Sequence, residues 1–142
     1  MFSKSCEYAI RSVIIISQNS KDGIKTNVKE ISRRAGVPEQ YIAKVLQTLS
    51  KQKLVQSMKG PGGGFYFDES NKSIKLIDIV TAIDGEGLFT ACGLGLKECS
   101  EKNPCPLHAS FKGIRNDIKN MLANTSISEL SDNLRESLFT SN

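Results

Sequence analysis

The chain has 142 residues, a formal net charge of +4 and 39% hydrophobic residues. This length suits one compact domain with an added element, and the hydrophobic share is enough for a buried core. No apolar run approaches the roughly 20 residues that a membrane-spanning helix needs, and the first residues lack the regions of a secretory signal. We therefore expect a cytoplasmic protein without a membrane partner.

The charge is unevenly divided along the chain. Residues 1–75 contain 13 Lys or Arg and 6 Asp or Glu, a net +7, whereas residues 76–142 contain 6 and 9, a net −3. A basic N-terminal half is typical of proteins that bind a polyanion such as nucleic acid. On charge alone, a solvated lysine-rich surface is an equal alternative.

The first 52 residues have the pattern of a helix-turn-helix. An apolar face over residues 8–17 predicts a first helix. Asn27 and Glu30 are spaced as N-cap and N3 residues, which predicts the start of a second helix. A Gly-Val-Pro sequence separates it from a third helix over residues 38–52. Two short helices joined by such a turn are typical of proteins that place a recognition helix in the major groove of DNA.

The outward face of the third helix is polar, which suits contact with base edges and phosphates. The candidate DNA contacts on this face are Gln40, Tyr41 and Lys44. Arg33 and Arg34, near the end of the second helix, are weaker candidates for phosphate contacts. An ordinary helical hairpin with a solvated face is the alternative for this segment taken alone.

A glycine-rich segment after the third helix predicts a wing. Apolar runs at residues 54–55 and 65–67 predict two strands, and residues 59–64 between them carry four glycines and a proline. Glycines let a hairpin tip approach a phosphate backbone closely, and a lysine adds positive charge. A flexible hairpin without a DNA role is the alternative. The predicted DNA contacts at the tip are Lys59, Gly60, Pro61 and Gly62.

Two further helices flank a cysteine-rich loop in the second half of the chain. Residues 76–83 predict a short apolar helix, and residues 107–124 predict a long amphipathic one. The long helix has little to pack against in its own chain, which favours pairing with a second copy. Folding back on its own domain is the alternative. Ser126 and Glu129 predict the capped start of a last helix over residues 127–138.

Together these patterns predict a mainly α protein of the α+β class. Its architecture is a winged helix-turn-helix domain with a two-stranded wing and a long C-terminal dimerisation helix. The predicted divisions are a DNA-binding domain over residues 1–84, a cysteine-rich loop over residues 85–108, and dimerisation and C-terminal helices over residues 109–142. The expected partners are double-stranded DNA and a second copy of the chain.

Three of the four cysteines and the only histidine lie within 17 positions, as Cys92, Cys99, Cys105 and His108. Thiolates and an imidazole together suit zinc or the irons of an iron-sulfur cluster. Zinc sites usually have cysteines two to four residues apart, so the wider spacing here favours a cluster. Zinc, and a thiol redox switch without metal, stay open. Cys6 lies outside the pattern and is expected to be a small buried helix residue.

These residues resemble the Rrf2 family of bacterial winged-helix transcription regulators over nearly the whole chain. The resemblance rests on Tyr8-Ala9, Ile31-Ser32, Gly36-Val37, Tyr41-Ile42, Leu54-Val55, the glycine-rich segment 59–65, Cys92, Cys99 and Cys105-Pro106-Leu107-His108. It implies a homodimeric regulator that is not an enzyme. It also implies a DNA affinity that depends on a cluster sensing redox state, nitric oxide or cluster supply.

The resemblance also implies a set of cluster ligands. In the IscR type of this family, three cysteines and a histidine hold a [2Fe-2S] cluster, which corresponds here to Cys92, Cys99, Cys105 and His108. In the NsrR type, an acidic residue reaches the cluster from the other protomer, and Glu7 occupies that place. Glu7 is therefore the alternative fourth ligand, and [2Fe-2S] is favoured over [4Fe-4S].

Two positions depart from the family pattern. One more residue than usual separates Cys92 from Cys99, and Ala43 stands where some IscR-type members carry a glutamate that discriminates among operators.

Two alternative functions remain. One is a cluster-free thiol or zinc-containing regulator of the same family. The other is a redox or electron-transfer iron-sulfur protein without a DNA role, which no nucleotide fingerprint or second cluster motif supports.

Overall fold

Helices dominate the computed structural model, which describes residues 1–97, 100–135 and 139. A two-stranded antiparallel sheet completes the predicted mainly α class. A short 3-10 helix (Glu69–Asn71) follows the second strand. The other elements are α1 (Lys4–Lys21), α2 (Val28–Ala35), α3 (Glu39–Lys51), β1 (Gln56–Met58), β2 (Gly64–Tyr66), α4 (Leu76–Asp84), α5 (Gly87–Thr90), α6 (His108–Ala123) and α7 (Ile127–Asn133).

Capping residues set several of the helix boundaries. The side chain of Asn27 accepts a hydrogen bond from the backbone N–H of Glu30 at 2.8 Å, and α2 begins directly after it. Gly36 ends α2 with a φ of 68°, a left-handed conformation that glycine adopts at little cost. Ser126 caps α7 in the same way as Asn27 caps α2, through the N–H of Glu129 at 3.0 Å. The predicted starts of α2 and α7 are therefore confirmed.

α1 is the central element of the core. It packs against α2, α3, α4 and α7. Its side chains from residue 13 to residue 16 are buried, and they share one apolar cluster with Ile31 of α2 and with Ile42 and Leu46 of α3. The two helices of the predicted helix-turn-helix are thus both fixed on α1.

The wing is attached to the segment ahead of α2. A backbone hydrogen bond from Gly63 to Gly60 at 2.9 Å closes its tip. Thr26 forms an isolated antiparallel bridge with Phe65 of β2, through two backbone hydrogen bonds of 2.8 and 2.9 Å. The wing is therefore joined to the helix-turn-helix by backbone hydrogen bonds as well as by its covalent connection to α3.

Replacing Gly64 with alanine is expected to loosen this attachment. An added Cβ would lie 2.9 Å from the carbonyl group of Thr26, and the φ of 140° at Gly64 is one that side-chain-bearing residues rarely adopt. We expect the free energy of unfolding, measured in urea, to fall by about 1–3 kcal/mol. Gly87→Ala is the control, because a Cβ there meets nothing within 4 Å. Equal stability of the two variants would contradict the close contact with Thr26.

The first strand lies later in the chain than the sequence pattern predicts, and the second begins one residue earlier. The first is predicted at residues 54–55, whereas β1 is Gln56–Met58. Val55 is 2% exposed and belongs to the core cluster, so the apolar character of residues 54–55 reflects burial beneath α3 rather than strand pairing. The second strand, predicted at residues 65–67, is shifted by one residue as Gly64–Tyr66.

Two helices also differ from the prediction. α5 has four residues, which is too short to leave a helical period in the sequence. α7 ends at Asn133, and Leu134 after it takes an extended conformation. The predicted helix over residues 127–138 is therefore too long, and residues 136–138 lie outside the described residues.

Candidate functional site

α3 presents the predicted DNA contacts on its exposed face. Gln40, Tyr41 and Lys44 are all exposed. The opposite face is fixed in the core by Ile42 and Leu46, which are fully buried. This division lets one face of α3 meet a ligand while the other keeps its packing.

Tyr41 also connects α3 to the first helix. Its ring lies against that of Tyr8, with centroids 6.0 Å apart and an angle of 39° between the planes, within the range of favourable aromatic pairs. Glu7, the alternative fourth ligand, precedes Tyr8 and pairs with Lys4 at 3.2 Å. α3 therefore contacts the turn of α1 that carries Glu7.

The wing tip is exposed, and Lys25, a residue from the segment before α2 that the sequence pattern does not mark as a DNA contact, lies against the second strand of the wing. Nζ of Lys25 lies 5.4 Å from the centroid of the Tyr66 ring. The bridge between Thr26 and Phe65 brings Lys25 to the wing, and no local sequence signal predicts this pairing. The exposed residues of the tip are Lys59, Gly60, Pro61 and Gly62.

The two arginines of α2 have different surroundings. Arg33 has a side chain that is 69% exposed and pairs with Glu30 through two nitrogens at 2.9 and 2.5 Å, which lowers the pKa of Glu30. Arg34 is half-buried and donates to Gln18 and Asn19 of α1 at 2.9 and 3.2 Å. Arg33 is the better placed of the two for a phosphate, whereas Arg34 holds α2 against α1.

Two of the predicted metal ligands lie together in the cysteine-rich loop. The Sγ atoms of Cys92 and Cys105 are 3.9 Å apart, too far for a disulfide, in which they are about 2.05 Å apart. Two thiolates bound at about 2.3 Å to one tetrahedral metal lie roughly 3.8 Å apart. The backbone N–H of Leu94 donates to Sγ of Cys92 at 3.4 Å. This pair therefore fits a shared metal centre, while Cys99 lies outside the described residues.

α6 anchors the loop around Cys92. Nη1 of Arg115 donates a hydrogen bond of 2.9 Å to the carbonyl oxygen of Ala91. Gly93 lies directly on the ring of Phe111, because an added Cβ would be 2.5 Å from its atoms. The residues before and after Cys92 are thus both held by α6.

His108 opens α6 and faces an acidic side chain. Its N–H donates to the carbonyl oxygen of Cys105 at 3.0 Å. Its Nε2 lies 3.5 Å from Oε1 of Glu101, and Nζ of Lys112 lies 2.5 Å from the same oxygen. The described residues include no three His, Cys, Asp or Glu side chains grouped to hold a metal. Sequence reasoning missed Glu101, Lys112 and Arg115, although His108 and Lys112 have the i,i+4 spacing of helix neighbours.

Cys6 is separate from this site, as the sequence predicts. It is fully buried, and burial, followed by the nearby carboxylates of Asp84 and Glu7, raises the pKa of its thiol to about 12. A thiol that stays protonated at neutral pH is a poor metal ligand.

The apolar side chains of α6 are only partly covered by the rest of the chain. Leu122 is its one buried residue. The others follow alternating steps of four and three residues, the spacing of a coiled-coil seam, and three of them are 45–56% exposed. We call this row of apolar side chains the α6 stripe, and it consists of Leu107, Phe111, Ile114, Ile118 and Met121. No helix within the described ranges is long and apolar enough to cross a membrane.

Comparison with known sequences gives a consistent match. A family model described as Rrf2, iron-dependent transcriptional regulator, matches residues 2–133. An HTH-type transcriptional regulator of Aquifex aeolicus (strain VF5) is 30% identical over 132 residues, 92% of this chain and 90% of that protein. The HTH-type transcriptional regulator IscR of Yersinia pseudotuberculosis is 29% identical over 126 residues, 89% of this chain and 76% of that protein.

Solved structures show the same fold. CymR (YrzC), the global cysteine regulator of B. subtilis, has a TM-score of 0.79 at 19% identity, covering 95% of this chain and 98% of that one. IscR of T. potens has a TM-score of 0.74 at 19% identity, covering 100% and 93%. These similarities confirm the predicted winged-helix fold.

Proposed function

The chain belongs to the Rrf2 family of iron-dependent transcriptional regulators, as the resemblance in its sequence implies, and from this premise we propose what controls its binding to DNA. It is a DNA-binding transcriptional regulator and not an enzyme. The proposal is a cytoplasmic homodimer whose DNA affinity depends on an iron-sulfur cluster that reports redox state, nitric oxide or cluster supply. The observation that carries it is the 3.9 Å separation of the Cys92 and Cys105 sulfurs in a loop anchored on α6.

The proposed ligands are Cys92, Cys99, Cys105 and His108, with Glu7 of the partner subunit as the alternative to His108. [2Fe-2S] is favoured over [4Fe-4S]. When bound, the cluster supplies reversible one-electron chemistry and reactivity toward small oxidants. The protein's own part is to hold two thiolates at a metal-sharing distance and to donate amide hydrogen bonds to sulfur.

In the proposed complex with double-stranded DNA, α3 enters the major groove and the wing tip lies on the phosphate backbone. Gln40, Tyr41 and Lys44 are exposed on the face of α3 that such a position requires. Lys59 and the glycines around Pro61 form the tip that meets phosphate, and Arg33 adds a phosphate contact beside α2.

Lys59→Ala is expected to weaken binding to all DNA sequences by a similar factor. Loss of one phosphate contact releases one counterion fewer, so the slope of log K against log salt concentration should become shallower by about 0.9. The measurement is fluorescence anisotropy with operator and random DNA over a series of salt concentrations.

Lys72→Ala is the matched control for this experiment. It removes the same charge from a lysine that is 71% exposed and pairs with Glu69 at 2.9 Å. Its salt slope should equal that of the unmodified protein. An unchanged slope in the Lys59 variant would count against a contact between the wing and phosphate.

The link between the loop and DNA runs through α6 and α1 in this proposal. Arg115 and Phe111 hold the loop on α6, and Tyr8 of α1 contacts Tyr41 of the recognition helix. A ligand controls such a system only if it binds two arrangements of the protein with different affinity. The two arrangements proposed here differ in the separation of the two recognition helices of the dimer.

Zinc is the second candidate for the metal. The sulfur separation of 3.9 Å fits one tetrahedral zinc as well as one iron of a cluster. The two differ in acid-labile sulfide, which zinc lacks, and in visible colour. A zinc protein would keep the proposed DNA contacts and would lose the redox response.

A further inference from the structure

Both cysteines whose sulfurs lie 3.9 Å apart are attached to α6. Cys105 comes one turn before the helix, and the backbone N–H of His108, the first residue of α6, donates to its carbonyl oxygen at 3.0 Å. Cys92 is 13 residues earlier in the chain and reaches α6 through its two neighbours. On one side, Nη1 of Arg115 donates to the carbonyl oxygen of Ala91 at 2.9 Å. α6 is therefore the common support of the two sulfurs.

On the other side of Cys92, the backbone of Gly93 lies against the ring of Phe111. An added Cβ would be 2.5 Å from Cε1, Cε2 and Cζ of that ring, whereas non-bonded carbons are best separated by about 3.5–4.0 Å. Gly93 is not among the glycines with a positive φ, so an alanine could adopt its backbone conformation. The position therefore requires glycine because of the ring and not because of the backbone.

The ring of Phe111 cannot avoid an added methyl group by turning in place. Cζ lies on the axis of the Cβ–Cγ bond, so rotation about χ2 leaves it where it is. Only a change of χ1 moves it, and a helix leaves few χ1 rotamers to choose from. Either the ring leaves Gly93 or the loop moves away from α6. In both cases the contact beside Cys92 is lost.

We propose that Phe111 and Arg115 are positioning residues for Cys92. The ring and the guanidinium hold its two chain neighbours, and so keep its thiolate at the distance from Cys105 that one shared metal ion requires. The two positioning residues are four apart and lie on the same face of α6. This inference rests on the proposed role of the two cysteines as metal ligands.

The physical reason is that the loop has little packing of its own. Residues 93–97 are all exposed. A loop that the metal itself must order loses conformational entropy when the metal binds, which lowers the affinity. A loop already held against a helix has lost that entropy on folding. Residues that orient a ligand in this way contribute to metal affinity without touching the metal.

The test titrates the full chain, purified without metal, with Cd²⁺ alone. Thiolates bind this soft ion, and each cadmium–thiolate bond adds charge-transfer absorption in the ultraviolet. Gly93→Ala is expected to lower Cd²⁺ affinity about 10-fold to 100-fold, and its absorption per bound ion should fall to that of Cys92→Ser. Gly113→Ala is the control, because it adds the same methyl group to α6 where nothing lies within 4 Å. Its affinity and absorption should not change.

A double variant separates the clash with the ring from a general disturbance of the loop. Phe111→Ala alone should lower Cd²⁺ affinity, because it removes the support of the loop. Adding Gly93→Ala to Phe111→Ala should then change nothing, since the ring that the methyl group would meet is gone. Any effect of Phe111→Ala on the α6 stripe is present in both members of this pair and cancels. Urea unfolding of each variant checks that the core is intact.

The contact of Arg115 is tested by a conservative replacement. Arg115→Ala is expected to lower Cd²⁺ affinity and the absorption per bound ion. Arg115→Lys keeps a charged donor that can reach the carbonyl oxygen of Ala91, and it should recover part of both losses. A role of Arg115 in folding alone would change the unfolding curve and leave the absorption per bound ion as it is.

The results that would overturn the inference differ from those that would overturn the metal site. Unchanged Cd²⁺ binding in Gly93→Ala, or an equal loss from this change with and without Phe111, would remove the positioning role while Cys92 stays a ligand. Equal absorption of the unmodified protein and Cys92→Ser would show that Cys92 is not a ligand. That last result would overturn the proposed ligand set together with this inference.

Discussion

Serine in place of Cys92 is expected to abolish the visible absorption of protein purified without oxygen. Iron and acid-labile sulfide per chain should fall to background, because a neutral hydroxyl is a poor substitute for a thiolate at an iron-sulfur cluster. Cys105→Ser should give the same result, since the two sulfurs lie 3.9 Å apart. The measurement is the absorption spectrum together with iron and sulfide analysis.

Cys6→Ala is the matched control, because it removes a cysteine whose thiol is buried and has a raised pKa. That variant should keep its colour and its iron content. A brown Cys92→Ser protein would contradict the proposed ligand set. A colourless unmodified protein with stoichiometric zinc would leave the DNA-binding surface as proposed and would replace the cluster by zinc.

Aspartate in place of Ile114 is expected to separate the proposed dimer into monomers. Ile114 is 56% exposed in the single chain, so the change costs the protomer little of its own packing. In the paired α6 stripe, two carboxylates would be buried against apolar side chains at a cost of several kcal/mol. The dimer dissociation constant should therefore rise at least about 100-fold, as measured by analytical ultracentrifugation.

Asn116→Asp provides the matched control for that change. It introduces the same charge on an exposed position of α6, two residues beyond Ile114 and off the α6 stripe. Its dimer should be unaffected, and affinity for two-half-site DNA should fall only in the Ile114 variant. An unchanged molecular mass for Ile114→Asp at micromolar concentration would contradict pairing through α6.

Much of the fold follows from local chemistry. The caps at Asn27 and Ser126 predict where α2 and α7 begin, because each satisfies an N–H a few residues away. The strands are harder to predict, since their register depends on a turn closed between Gly60 and Gly63. Apolar residues 54–55 resemble a strand because Val55 is buried in the core and Leu54 packs against it.

The sequence identifies candidate ligands where the residue type and the spacing are typical of a metal site. Cys92 and Cys105 are identified in this way, and the structure brings their sulfurs together. Glu101 and Arg115 are ordinary charged residues in the sequence. Their contacts depend on how the loop closes onto α6, and contacts of this kind leave no periodic signal.

The two main-chain bonds between Thr26 and Phe65 join the wing and the helix-turn-helix into one unit rather than a helix and a hinged wing. In the proposed dimer, a change in the cysteine-rich loop would therefore reach DNA through the distance and angle between two such units. Half-sites in symmetrical operators repeat at about 34 Å, one turn of DNA. The protein with its cluster and the protein without it would therefore contact the same bases in each half-site but prefer operators with different spacer lengths. The length of the spacer between the half-sites would then determine how a promoter responds to the state of the cluster.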